Sequence, residues 1–284
     1  QSNGLLPNGK IGKNTGDLQG LLQVQYAYYF NNNWGVNAGL AFSGYGSYGV
    51  LNTTARWNEQ GDSDGERYNH LTETHNWKEH QITHIVELPV GVQCMYPLND
   101  DNLRLQAGLG LRFGLPVYSK WALTSGDIEH IGEYPQWGMT IRNQQDRDFY
   151  NEQIGNHWSQ DRQSLNLKPF ALALDANVGL AVPITQQIDL LCGLYFQINC
   201  IDLNNYTQKD LGWQQPQAEA DYRKHNFMET YEGLIATNTV NHVLPWGLGI
   251  KVGVQWHHKE KMPSPPPTFM RVEVCDTTIT PATR

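Results

Sequence analysis

Residues 103–118, LRLQAGLGLRFGLPVY, alternate without a break. Leu103, Leu105, Ala107, Leu109, Leu111, Phe113, Leu115 and Val117 share one parity, and polar or small residues take the other. A period of two means a β-strand, because successive Cβ atoms point to opposite faces. The run is long for a soluble sheet, whose strands have a mode of about 5–6 residues. Roughly 9–11 tilted residues cross a bilayer. The pattern therefore predicts a membrane strand with lipid on its apolar side and a packed polar lumen on the other.

Six further segments repeat this grammar: 17–30, 34–48, 80–96, 168–184, 188–201 and 242–258. Their connections alternate in length, at 31–33, 49–79, 97–102, 119–167, 185–187 and 202–241. Outer-membrane barrels have short periplasmic turns and long external loops. The expected fold is thus all-β, a transmembrane antiparallel up-and-down barrel of about eight strands. Seven are clear. An open edge in lipid would leave backbone groups unpaired, so an eighth is required. An irregular N-terminal strand within 1–16 is favoured over the alternative at 268–276. The expected organisation is a barrel over 1–262 with long extracellular loops at about 49–79, 119–167 and 202–241. A Pro-rich linker and periplasmic tail would follow over 263–284.

The lumen parity carries charges. With 97–102 as a turn, positions whose numbers sum to about 199 pair, which sets Glu87 opposite Arg112. Asp175 and Lys251 also face inward, giving two charges of each sign. Charges away from bulk water must pair or cost several kcal/mol each. A structural ion-pair network of Glu87, Arg112, Asp175 and Lys251, linked by glutamines, is expected to hold the barrel shut. The rival reading is a filter or proton path. Trp34, Tyr96, Trp246, Trp256, Tyr26 and Tyr28 lie near strand ends on the outward parity, as in the aromatic girdles of barrels.

Composition adjusts the picture only slightly. No apolar run approaches the roughly 20 residues of a membrane helix. The net charge of −8 and the lack of basic clusters argue against nucleic acid. No signal peptide is visible, and Gln1 would suit the start of an exported chain. Cys94, Cys192 and Cys200 read as small lipid-facing hydrophobes rather than bridges.

The long connections carry Trp57, Trp77, Trp121, Trp137, Trp158 and Trp213, the candidate contact residues for a ligand or partner. Glu73, His75, Glu79, His80 and His84 are crowded, but His80 and His84 lie about 13 Å apart at strand rise. No spacing matches a metal or acid–base motif, and no Ser–His pair stands out. No enzyme activity, cofactor or metal is expected.

QVQYAYYFNNNWGVNAGLAFS (23–43), HIVELPVGV (84–92) with LRLQAGLGLRFG (103–114), and WGLGIKVGVQW (246–256) before PSPPP resemble the small outer-membrane barrels of Bacteroidota and the OmpA-like barrel family. That resemblance implies an integral barrel of the bacterial outer membrane. Members of the family often continue through such a linker into a peptidoglycan-binding domain, so it also implies a tether if the chain extends past Arg284. The expected role is a non-enzymatic structural or accessory subunit. Its partners would be membrane lipid, other outer-membrane or periplasmic proteins, and peptidoglycan through the tail. A surface receptor or adhesin, or a narrow channel, is the alternative.

Overall fold

The computed structural model describes residues 12–62, 64–98, 103–142, 151–153, 162–185, 187–207, 233–237, 240, 242–257 and 268–278. Eight strands form a ring: β2 (Leu18–Tyr29), β3 (Trp34–Gly61), β4 (Arg67–Pro97), β5 (Arg104–Tyr134), β9 (Ala171–Pro183), β10 (Ile188–Asn199), β11 (Trp246–His257) and β12 (Thr268–Thr278). Four short strands lie outside it: β1 (Gly12–Gly16), β6 (Met139–Arg142), β7 (Asn151–Gln153) and β8 (Gln163–Ser164). The order β3-β2-β12-β11-β10-β9-β5-β4 closes on itself through the β3–β4 pair, and every pair is antiparallel. Closure is what lipid demands, since no strand then presents an edge to hydrocarbon. The fold is a transmembrane up-and-down β-barrel.

The lipid face follows the alternation. Leu109 is 53% exposed, Leu174 39% and Ile250 59%, with no second layer over them among the described residues. Their strand neighbours Gln106, Arg112, Asp175, Lys251 and Gln255 are buried inside. Tyr26, Tyr28, Trp34, Tyr96 and Trp256 ring the end that carries the short turns. Trp246 lies at the opposite end, paired with Ile198. Cys192 and Cys200 are exposed on the outer face.

Three expectations are corrected. The eighth strand is C-terminal: Thr268–Thr278 pairs with both β11 and β2. Residues 263–284 are therefore not simply a linker and tail, because 268–278 closes the ring. The N-terminal segment Gly12–Gly16 instead forms the short β1, which pairs with β3 above the ring.

The third correction concerns the loops. The stretches 49–79 and 119–134 are strand apart from the hairpin around 62–66, because β3, β4 and β5 run on for 28, 31 and 31 residues. β2, β9, β10 and β11 stop at 12 or 13. The long strands are roughly three times what a tilted crossing needs. Above the ring they form an open three-stranded wall, edged by β1 on β3 and by β6, β7 and β8 on β5.

β-Bulges steer the wall. The β4–β5 register shifts between His84 and Ile85, opposite Tyr118 and Pro116, and again around His75 and Lys78. Pro116 can offer no ladder N–H, so a bulge suits it. At the upper shift Asn76 (φ 51°) and Gly126 (φ 140°) take left-handed backbone, which Asn and Gly tolerate best. Each bulge reverses which parity points inward. Below Asn76 the buried residues are Trp77, Glu79 and Gln81; above it Thr74, Thr72 and His70 are the most deeply buried, and Leu71, Asn69 and Tyr68 are buried as well.

Candidate functional site

The lumen is filled in tiers. At the turn end, Asp189 is buried between the Arg104 guanidinium and the His257 ring, with His257 Nε2 2.6 Å from Asp189 Oδ2. This clasp ties β5, β10 and β11. Above it lies an amide tier. Gln93 Nε2 donates to Tyr29 Oη at 2.6 Å, Asn37 Nδ2 and Gln106 Nε2 donate to Gln93 Oε1, and Gln25 Nε2 donates to Asn37 Oδ1.

The charged tier comes next. Arg112 Nη1 lies 3.0 Å from Glu87 Oε2, and its Nη2 lies 2.7 Å from Gln23 Oε1 and 3.3 Å from Asp175 Oδ2. One guanidinium thus clamps β5 to β4, β2 and β9. Glu87 also accepts from Ser43 Oγ (2.5 Å), Gln197 Nε2 (2.7 Å) and Tyr45 Oη (3.4 Å). A carboxylate and a guanidinium survive in a water-poor core only with such direct pairing and extra donors. Gly110 makes room: a Cβ there would stand 2.8 Å from Asp175 Oδ1 and from the Val90 carbonyl.

Of the four expected lumen charges, the structure brings Glu87, Arg112 and Asp175 together. Lys251 sits elsewhere on the lumen face and donates to Asn177 Oδ1 at 3.3 Å. The register differs by two from the expected sum. Glu87 faces Gly114, and Arg112 faces Pro89, so the Glu87–Arg112 pair is diagonal.

A hydrophobic cap closes the wall end. Trp77, Trp121 and Ile128 of the wall belong to one buried cluster with Leu165, Ala171, Leu203, Leu234, Ile235, Val240 and Val243. Glu79, wholly buried below it, accepts from Leu234 N (3.0 Å) and Gln81 Nε2 (2.6 Å). Asp202 pins two cap segments. Its Oδ1 accepts from Asn204 N (3.0 Å) and Val243 N (2.8 Å), and His242 Nδ1 lies 3.3 Å from Oδ2. Burial opposes the Asp202 charge, but these donors prevail and hold its carboxyl below the ordinary carboxylate value.

The tryptophans divide. Trp77 and Trp121 are cap core, not contact residues, because the wall folds them inward over the lumen. Trp137, in a short 3₁₀ turn at the top of the wall, is 52% exposed and stacks on Tyr134 with ring centroids 5.2 Å apart. Trp57 lies in β3 opposite His70, and its side chain is outside the described residues. Trp158 and Trp213 also lie outside them.

Two groupings escaped the sequence reading. The Arg104–Asp189–His257 clasp had one visible signal, Asp189 on the lumen parity of 188–201. On the solvent face of the wall, Glu73, His75 and Glu129 place donor atoms within 4.8 Å of one another, and Arg142 bridges both carboxylates. Slight burial opposes the Arg142 charge, but Glu129 and Glu73 raise the guanidinium above its ordinary value. Glu129 and Arg142 are far from Glu73 in sequence, so no local spacing announces them.

No protein-family model matches the sequence, and no curated protein matches it. Among solved structures, the chain is similar to the translocator domain of autotransporter NalP from Neisseria meningitidis. The similarity covers 98% of this chain and 92% of that one at 9% identity, with a TM-score of 0.15. At that score the likeness carries no argument, and the fold stands on strand pairing and burial alone.

Proposed function

We propose that this chain is a non-enzymatic, non-conducting barrel of the bacterial outer membrane that presents its wall to other proteins as a structural or accessory subunit. The observation that carries this reading is the filled lumen. The Arg112 clamp and the amide tier below it tie lumen side chains of several strands to one another, and the hydrophobic cap lies above them. The apolar outer belt supports a place in lipid. Short turns at one end and the wall at the other support an outer-membrane orientation, with the wall outside the cell. The strand at 268–278 shifts the expected partner contact from a periplasmic tail to the wall.

Two measurements test this. Reconstitution into planar bilayers is expected to give no steady conductance, and stable openings would defeat it. Gentle detergent extraction from native membrane is expected to yield a particle larger than one barrel; a lone monomer would reject the accessory role.

One observation favours a second reading, a surface receptor or adhesin. Trp137 and Met139 are both exposed at the top of the wall, Met139 at the start of β6. Exposed aromatic and Met side chains are enriched at recognition surfaces. Loss of surface attachment on Trp137→Ser, with the barrel intact, would support that reading over the first.

A further inference from the structure

The solvent face of the wall holds a cluster that neither the barrel nor its cap requires. β4 and β5 set Glu73 directly opposite Glu129, and His75 opposite Asp127 on a neighbouring rung. Two like charges facing each other across a strand pair are destabilising unless a cation lies between them. His75 Nε2 lies 3.8 Å from Glu73 Oε2 and 3.8 Å from Glu129 Oε2. Arg142 Nη1 lies 3.0 Å from that Glu129 oxygen and 3.5 Å from that Glu73 oxygen. The guanidinium stands where the carboxylates call for positive charge.

We propose that Glu73, His75 and Glu129 form a binding site for a zinc-class divalent cation, and that Arg142 is its competitor. Zinc bonds of about 2.0–2.2 Å at tetrahedral angles put donor atoms about 3.4 Å apart. His75 Nε2 reaches that spacing to either carboxylate by closing a few tenths of an ångström from 3.8 Å, and the two carboxylate oxygens start within 4.8 Å of each other. All three sit on paired strands beside a bulge that Asn76 anchors through its N–H to Asn52 Oδ1, at 2.6 Å. One imidazole with two carboxylates suits first-row divalent metals, whereas magnesium and calcium prefer oxygen alone. Water or Asp127 takes the fourth position. Arg142 ends β6 with its side chain half exposed, so it can swing out when a cation enters. Metal then ties β4 to β5 and releases β6 from the carboxylates.

The test is a Co(II) titration of the full chain in detergent, read by the visible absorption of four-coordinate cobalt and its displacement by Zn(II). One equivalent is expected to bind the natural chain. His75→Ala is expected to abolish the signal. Arg142→Gln is expected to bind roughly five- to tenfold tighter, the weight of one or two exposed ion pairs. A heat-modifiable gel shift on each variant checks that the barrel has formed. The proposal is overturned if neither the natural chain nor Arg142→Gln binds one equivalent. It is also overturned if His75→Ala binds as well as the natural chain, which would place the metal on other histidines.

Discussion

Two arginines in this molecule do the same thing in different surroundings. Arg112 bridges Glu87 and Asp175 inside the barrel, and Arg142 bridges Glu73 and Glu129 on the outside of the wall. The distances are similar, between 3.0 and 3.5 Å. The Arg112 side chain is 3% exposed and that of Arg142 50%. Burial sets the value of the interaction. A buried pair cannot fall back on water when one member is lost, whereas an exposed pair can. The lumen arginine is therefore a structural clamp, and the wall arginine is replaceable, by water or by another cation.

Substitutions sharpen this contrast. Arg112→Met should cost about 3–5 kcal/mol, because it strands two buried carboxylates. Urea unfolding in lipid vesicles measures this. Adding Glu87→Gln and Asp175→Asn should recover part of the loss, and no recovery would mean that packing rather than charge is responsible. Trp77→Ala in the cap should cost a similar ~3–5 kcal/mol through cavity formation. If it instead opens a steady conductance with little loss of stability, the cap rather than the clamp is the seal.

Leu109→Arg puts a charge on the lipid side of the strand that carries Arg112. It should cost about 2–4 kcal/mol near the midplane and less toward either interface. A neutral result would mean that this face meets water.

Asp202→Asn tests an intermediate environment. Losing the charged acceptor for Asn204 N and Val243 N should cost about 1–3 kcal/mol. Because the folded carboxyl lies below its ordinary value of 3.8, its contribution is full above that value and fades as pH falls through the depressed one. Proteolysis of the cap segments should therefore rise in the natural chain below about pH 4, and the Asn variant should lose that component. At the small end, Arg142→Gln without metal should change stability by about 0–1 kcal/mol. A loss as large as that of Arg112→Met would erase the distinction between the two arginines.

The barrel was legible because its code is local. Leu105, Leu109 and Leu111 face lipid while Gln106 and Arg112 face inward, and the sequence shows this at a spacing of two. The lumen pair was legible for the same reason, and a register displaced by two still lets a long arginine reach Glu87 diagonally. The wall was not legible. Between 67 and 82 the inward parity switches at Asn76, and in β5 it switches near Pro116 and again near Gly126. Both faces of that region mix polar and apolar residues, so the stretch reads as loop. Trp77 and Trp121 consequently looked like exposed contacts although they are core.

The amino-acid order by itself determined which side of each short strand meets lipid, and that charges of both signs must meet inside. Alternation and desolvation act residue by residue and need no knowledge of partners. Tertiary structure alone decided that 268–278 closes the ring, that three strands rise into a wall, and that Glu73 meets Glu129. Those outcomes depend on pairing between distant segments and on bulges whose positions emerge only when neighbouring strands are laid side by side.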